Sequence, residues 1–289
     1  SGTMAQAATL RVHADRRTTR TVVWHPYCHL ARHESEAHQR LHGLTGRAVG
    51  ETERLLTAAD LAGVAEPVAA LLLELPQRDL GGRLPSWPEL EKQTGWARDR
   101  GAATHLDGAR LWEAAAGYQR PPAEIAALFD TVYVSFYKGV GALSGCCVAG
   151  PEQDVAEVRE WRHRLGGTLY GLWPAAASAL TLLPGALAEM PARMDHTHAI
   201  AAALREVATV RVLPDPPQTP MMHLLLNTTA ESYAARAKKL ADETQFWVWP
   251  RAMATGDPDV VRCELGVGTA TLRHKPAFIA ETLEWLSQK

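Results

Sequence analysis

Cysteine is scarce in this sequence, and the four present, Cys28, Cys146, Cys147 and Cys263, form no framework. Their spacing matches no zinc pattern, neighbours such as Cys146 and Cys147 do not readily bridge, and four in 289 residues is far from the density of a disulfide scaffold. The expected setting is therefore a reducing cytoplasm. Long apolar runs are missing as well. Stretches such as Leu71-Leu72-Leu73 fall well short of the roughly 20 residues a spanning helix needs, so no membrane role is expected. Charge is balanced, with 30 Lys+Arg against 32 Asp+Glu and both signs interspersed, which leaves no basic stripe for nucleic acid. No signal peptide, internal repeat or low-complexity tract is expected from these letters. What is there is 46% hydrophobic content, enough to bury one large domain and a smaller one. The expected partners are small molecules or further copies of the same chain.

Short β-rich runs alternate with helical patterns, which predicts an α/β architecture with a largely parallel central sheet. Thr21-Val22-Val23-Trp24 is the first predicted strand and Leu71-Leu72-Leu73-Glu74-Leu75 a later one. After a Gly81-Gly82 turn, Ser86 with Glu89 three residues on reads as a capping box opening a helix toward Gly101. Ala103-Thr104-His105-Leu106-Asp107 is the next parallel strand, and it delivers Asp107 to the carboxyl edge where open α/β sheets bind ligands. Thr131 to Phe136 is a further strand, with Lys138 just past its end. From about Pro191 the pattern becomes helix, strand, strand, helix, strand, strand, helix, with strands expected at Met221–Asn227, Phe246–Trp249 and Val260–Leu265. Residues 1–188 are thus expected to form the ligand-binding domain and 189–289 a small α+β domain.

An acid and a lysine at two strand ends suit pyridoxal phosphate, which needs a Schiff-base lysine and a carboxylate at the pyridinium nitrogen. A buried Asp keeps that nitrogen protonated, and burial near other cations lowers an amine's pKa so that lysine can lose its proton. By spacing alone, an Asp followed by Gly and a Lys followed by Gly are more often a turn and a solvated side chain.

The wording of two segments is more specific. "HLDGARLWEA" (His105 to Ala114) and "DTVYVSFYKGVGA" (Asp130 to Ala142) resemble the signature segments of the threonine aldolase and β-eliminating lyase family, of fold-type I among pyridoxal phosphate enzymes. The resemblance covers most of the chain, including Gly166-Gly167 and the domain order. It implies that Asp107 binds the ring nitrogen, that Arg110 approaches the ring oxygen and substrate carboxylate, that Lys138 carries the Schiff base, and that Ser135 contacts the phosphate. The opening "SGTMAQAATLR" reads either as a cloning remnant before an initiator Met4 or as a phosphate loop opening a helix that runs through Arg11. The family carries a similar S-G-T-M-A segment whose Gly and Thr hold the phosphate, which implies that role for Gly2 and Thr3, at a helix N-terminus suited to a dianion. It also implies a further segment ahead of Ser1 that contributes to the substrate site, which this sequence does not include.

Five histidines, His25, His29, His33, His38 and His42, crowd one stretch. His33-Glu34-Ser35-Glu36-Ala37-His38 is one residue too long for the H-E-x-x-H zinc helix, which sets its histidines about 140° apart, so no metal is expected. A solvated amphipathic helix is expected to account for most of the five. By the resemblance His29 stacks on the cofactor ring, where an imidazole also serves as acid or base at a substrate β-hydroxyl.

Departures from the family pattern bear on the substrate. Where the family's Gly-rich stretch runs to an Arg that contacts a neighbouring subunit's phosphate, this chain has Tyr170, leaving Arg162, His163 or Arg164 as substitutes. Arg262 resembles the small-domain Arg that clamps a substrate carboxylate; read by itself it is a strand surface charge. The resemblance implies a homodimer or homotetramer that cleaves a β-hydroxy-α-amino acid to glycine and an aldehyde. The alternatives are β-elimination, or a homologue that binds the cofactor without catalysis.

Overall fold

The apolar runs around Val22-Val23, Leu71-Leu72-Leu73 and Val132-Tyr133 become strands of one sheet. The computed structural model describes residues 1–245 and 252–288, and the chain divides into two units, Ser1–Ala188 and Glu189–Lys289. In the first unit the order is α1 (Gly2–Arg17), β1 (Thr21–Trp24), α2 (His29–His33), α3 (Ala37–Arg40), β2 (Thr45–Ala48), α4 (Ala58–Ala62), β3 (Ala70–Glu74) and a 3-10 turn at Arg78–Leu80. There follow α5 (Trp87–Asp99), β4 (Ala103–Gly108), α6 (Leu111–Tyr118), α7 (Pro122–Ala126), β5 (Thr131–Ser135), β6 (Cys146–Ala149) and α8 (Glu152–Arg164). Helix α9 (Trp173–Leu204) carries the chain past the boundary between the units.

The sheet runs β2-β1-β3-β4-β5-β6 and is parallel except for β6, which lies antiparallel to β5. Because side chains alternate along a strand, each apolar run feeds two cores. Val23, Leu71, Leu73 and Leu106 pack with Leu90 of α5 and Leu111 of α6 on one face. Val22, Trp24, Ala70 and Leu72 pack with Leu10 and Ala14 of α1 on the other. Truncating Leu72, 1% exposed, to Ala would cost about 2–5 kcal/mol.

Helix starts explain the spacing between strands. Ser86 caps α5 by accepting the backbone N–H of Glu89 at 3.3 Å, as its sequence suggests. The expected reciprocal bond is replaced, since the Glu89 carboxylate accepts the backbone N–H of Ala58 at the start of α4. A two-way box is found instead at α4, between Thr57 and Asp60. Helix α1 begins at Gly2 and extends to Arg17, beyond the expected end at Arg11.

In the second unit, β7 (Val210–Leu213), β8 (Met221–Leu226), α10 (Ala230–Thr244), β9 (Met253–Ala254), β10 (Val261–Gly266) and α11 (Pro276–Leu286) follow the end of α9. The antiparallel sheet β7-β8-β10-β9 packs Leu224, Leu226 and Cys263 against Leu283 of α11. The strand expected at Phe246–Trp249 lies outside the described residues.

Candidate active site

Parallel strands bring their carboxyl ends to one edge, and here that edge gathers the ionisable groups. Asp107, near the end of β4, is 2% exposed and lies in register with Glu74 of β3 and Tyr133 of β5. Its Oδ1 accepts the backbone N–H of Ala109 at 3.1 Å, and its Oδ2 accepts Nε2–H of Gln6 at 2.8 Å. Lys138, three residues past β5, shares with His29, Glu74, Arg78, Asp107 and Arg110 the lining of a cleft of about 230 Å³. Burial pulls the Lys138 ammonium below its ordinary pKa; the Asp107 charge opposes that, and Arg110 reinforces it. Arg110 takes the N-cap position of α6, so the turn after β4 points both Asp107 and Arg110 at the same edge.

Glu74 is the group that the sequence does not single out. It ends β3, and its carboxylate accepts backbone N–H groups of His29 and Arg78 and Nε2–H of Gln77, each at 3.1 Å. Burial first, and the facing charge of Asp107 second, push its pKa up to about 7. The available signal is an acid closing an apolar strand, Leu71-Leu72-Leu73-Glu74, one strand away from Asp107. Gln6 was equally unmarked, since a glutamine one turn into a helix is ordinary until Asp107 is placed opposite it.

His29 opens α2 and points Nε2 at Glu34 Oε1, 3.0 Å away. That hydrogen bond raises the imidazole pKa against the opposing effect of burial, with Asp107 and Glu74 adding to the rise and Lys138 reducing it. Thr3, in the first turn of α1, is among the groups that hold the Glu34 carboxyl below its ordinary pKa against the opposing effect of burial. Gly2 sits so close to the Tyr133 hydroxyl that a Cβ there would collide with it, which accounts for glycine at this position.

The residues present fit a phosphorylated pyridine cofactor. Two buried polar atoms in this cluster, Ser135 Oγ and Gln6 Oε1, have no hydrogen-bond partner among the described residues. The first-turn backbone N–H groups of α1 are of the kind a helix leaves unpaired and turns toward anions.

The remaining predicted residues fall elsewhere. The histidine-rich stretch is not a solvated helix: α2 stops at His33, α3 begins at Ala37, and His25, His38 and His42 are buried. His25 donates through Nε2 to the Glu51 and Arg54 carbonyls at 2.9 and 2.8 Å; His38 packs edge-on against Trp24 and His42 against Trp161. Packing against aromatics, which helical spacing does not reveal, is what takes these side chains inside. His33 pairs with Asp79, 3.2 Å away. Arg162, His163 and Arg164 close α8 as exposed residues, and Tyr170 is fully exposed. Arg262 lies in the second unit on β10, opposite Leu225, with its Nη2 3.9 Å from Met253 Sδ. Its Nε is buried and unpartnered among the described residues, which sets it apart from a plain surface charge.

Comparison with known proteins places the chain in a family. Residues 1–228 match the family model described as beta-eliminating lyase. Among solved structures, a candidate L-allo-threonine aldolase of Listeria monocytogenes is 36% identical with a TM-score of 0.92, covering 99% of this chain and 79% of its own. A candidate aromatic amino acid beta-eliminating lyase/threonine aldolase of an Exiguobacterium species is 34% identical with a TM-score of 0.92, covering 100% of this chain and 80% of its own. An aldolase of Penicillium aethiopicum is 32% identical over 67% of this chain, which spans 52% of that protein's length. Low-specificity L-threonine aldolase 1 of Arabidopsis thaliana is 26% identical, with 84% of this chain and 70% of that protein covered.

Proposed function

Because this chain belongs to the beta-eliminating lyase family and has the fold-type I architecture of pyridoxal phosphate enzymes, we propose that it is a pyridoxal phosphate-dependent lyase of the threonine aldolase type. Its reaction is cleavage of a β-hydroxy-α-amino acid to glycine and an aldehyde. The observation that carries this reading is the convergence of Asp107, Lys138, Arg110 and His29 on one cleft at the carboxyl ends of β4 and β5.

In this reading Asp107 faces the ring nitrogen, Lys138 holds the cofactor covalently, His29 lies against the ring, and Gly2, Thr3 and Ser135 hold the phosphate. The cofactor, when bound, accepts the electron pair released as the Cα–Cβ bond breaks. Asp107 keeps a negative charge at the nitrogen, aimed by its bonds from Gln6 and Ala109. Lys138, its proton loosened by burial, would hold the cofactor and serve as the proton donor at the product carbon. Arg110 would bind the substrate carboxylate and so set which bond at Cα is broken. Arg262 is a further proposed carboxylate ligand on the strength of its resemblance alone. His29 removes the β-hydroxyl proton, and its raised pKa makes it a stronger base near neutral pH.

A homodimer or homotetramer and a cytoplasmic setting belong to the same proposal. Tyr170 at 102%, Trp173 at 75% and Leu180 at 75% exposure support a second copy covering that segment. Free cysteines throughout are consistent with a reducing compartment, and among the described residues no helix is long and apolar enough to cross a membrane.

The test is product identification with the cofactor-loaded, full-length protein and a panel of β-hydroxy amino acids. Glycine and aldehyde in equal amounts are expected. Ammonia and a keto acid without glycine would instead identify β-elimination, and no product from any amino acid would identify a binding homologue.

A further inference from the structure

The turn after α2 is costly and specific. Glu34 is followed by two consecutive non-glycine residues in the left-handed region, Ser35 at φ 47° and Glu36 at φ 58°. Strain of this kind persists only where the surroundings over-determine it. Its effect is to break the helix at a decisive point. Residues five apart on a continuous helix stand about 140° apart, on different faces. Here the chain leaves the helix at Glu34 and brings its Oε1 to 3.0 Å from Nε2 of His29, four-fifths or more of its side chain shielded from water at 11% exposure.

Resting on the reading of His29 as the acid/base, we propose that Glu34 is its positioning residue. The carboxylate accepts the Nε2 proton, which leaves Nδ1 as the nitrogen that exchanges a proton with substrate. The chemistry is that of a carboxylate orienting an imidazole: it selects one tautomer, holds the ring plane and stabilises the imidazolium that forms on proton uptake. Burial works against a charged Glu34, yet the hydrogen bonds from His29 and Thr3 hold its carboxyl below the usual range, so it carries a full negative charge at neutral pH. The charged groups facing His29 are Glu34, Glu74, Asp107 and Lys138, and the His33 ring packs on it with centroids 5.0 Å apart. Of these, Glu34 alone, among the described residues, has a carboxylate oxygen within ion-pair distance of an imidazole nitrogen of His29.

The experiment is nitrogen-15 NMR of ring-labelled histidine in the full-length protein, with and without cofactor, the His29 signals assigned by their loss in His29→Asn. The neutral ring is expected to carry its proton on Nε2. Glu34→Gln should shift the His29 titration midpoint to lower pH, move the acid limb of kcat/KM the same way and lower kcat by at least about tenfold. Glu34→Asp should lie between the two. A merely structural role would lower activity without moving the titration. An Nδ1-protonated ring, or a midpoint unmoved in Glu34→Gln, overturns the proposal. Should Glu34→Gln fail to fold, the tautomer in the unsubstituted protein and the titration of Glu34→Asp decide the question. If the midpoint shifts but no glycine forms from any substrate, the aldolase reading fails while the pair stands. If glycine forms and the midpoint stays, the pair fails alone.

Discussion

Glu74 and Asp107 stand opposite each other in register on adjacent parallel strands, one half-buried and one buried carboxyl group at the same sheet edge. Two like charges this enclosed do not both ionise freely, and Glu74 is the one displaced, to about 7. Asp107 already receives two donors, from Gln6 and Ala109. Burial and the facing carboxyl together therefore keep a proton on Glu74 through the acidic range.

That assignment makes stability depend on pH in a definite direction. Glu74 binds its proton more tightly folded than unfolded, so the folded state holds more protons between pH 4.5 and about 7, and stability falls as pH rises through that window. In cofactor-free protein, Glu74→Gln should remove this loss. Going from pH 5 to pH 8, the parent should lose roughly 1–3 kcal/mol more than the variant, read from urea unfolding of the first unit. Equal pH dependence in both would show that Glu74 ionises normally.

Lys138 is expected to hold the cofactor. The cofactor-loaded parent should show a visible absorbance band that borohydride bleaches, and Lys138→Ala should lack it. A variant with the same borohydride-sensitive band would assign the attachment to another lysine.

A second buried network, away from the cleft, has its own signature. The Thr131 hydroxyl meets both His13 Nε2 and His105 Nδ1 at 2.8 Å, so it donates to one ring and accepts from the other. Burial depresses the two imidazoles to about 4 and about 3, with the nearby Arg17 charge adding to the effect on His13. Both are neutral when folded, while the unfolded chain takes up protons below about pH 6.5. Their contribution is thus complete above that pH and is lost as pH falls toward 4. Thr131→Val should cost about 1–3 kcal/mol at pH 7, measured by urea unfolding, because it leaves two buried rings each short of a partner.

The two strands that end in catalytic candidates are legible because buried parallel strands announce themselves as apolar runs, and whatever polar residue ends them lands at the ligand edge. Strand β2 is not legible in this way. All four of its residues, Thr45 to Ala48, are exposed, so no apolar pattern marks it. Glu34 is hidden for a different reason: its spacing from His29 places it on another helix face until a left-handed turn intervenes, and neither Ser35 nor Glu36 is a residue type that advertises such a turn. His25, His38 and His42 read as solvated because local spacing carries no information about the tryptophans and carbonyls that enclose them.

The exposed segment from Leu169 to Leu180 tests the proposed assembly. Light scattering of the unsubstituted protein should find at least a dimer. Trp173→Glu with Leu180→Glu, each side chain 75% exposed, should shift it toward monomer without unfolding the first unit. A parent that is monomeric and binds pyridoxal phosphate tightly would remove the case for a site shared between copies.

The reaction itself turns on His29 more than on Lys138, since every reaction of this cofactor uses the lysine. Retro-aldol cleavage needs a base at the β-hydroxyl, and His29 is the imidazole that lines the cleft with Lys138 and Asp107. His29→Asn keeps a polar side chain of modest size but has no group that titrates, so cofactor binding should survive while turnover falls by roughly 10²–10⁴-fold. The acid limb of the parent's kcat/KM profile should report an imidazole titrating above its ordinary value, because the Glu34 bond, then Asp107 and Glu74, favour the charged ring over the opposing effect of burial. In His29→Asn that limb should be absent from whatever activity remains. Unchanged turnover with the limb intact would move the base to another group, and Glu74, holding a proton up to about pH 7 in the same cleft, would be the next to test.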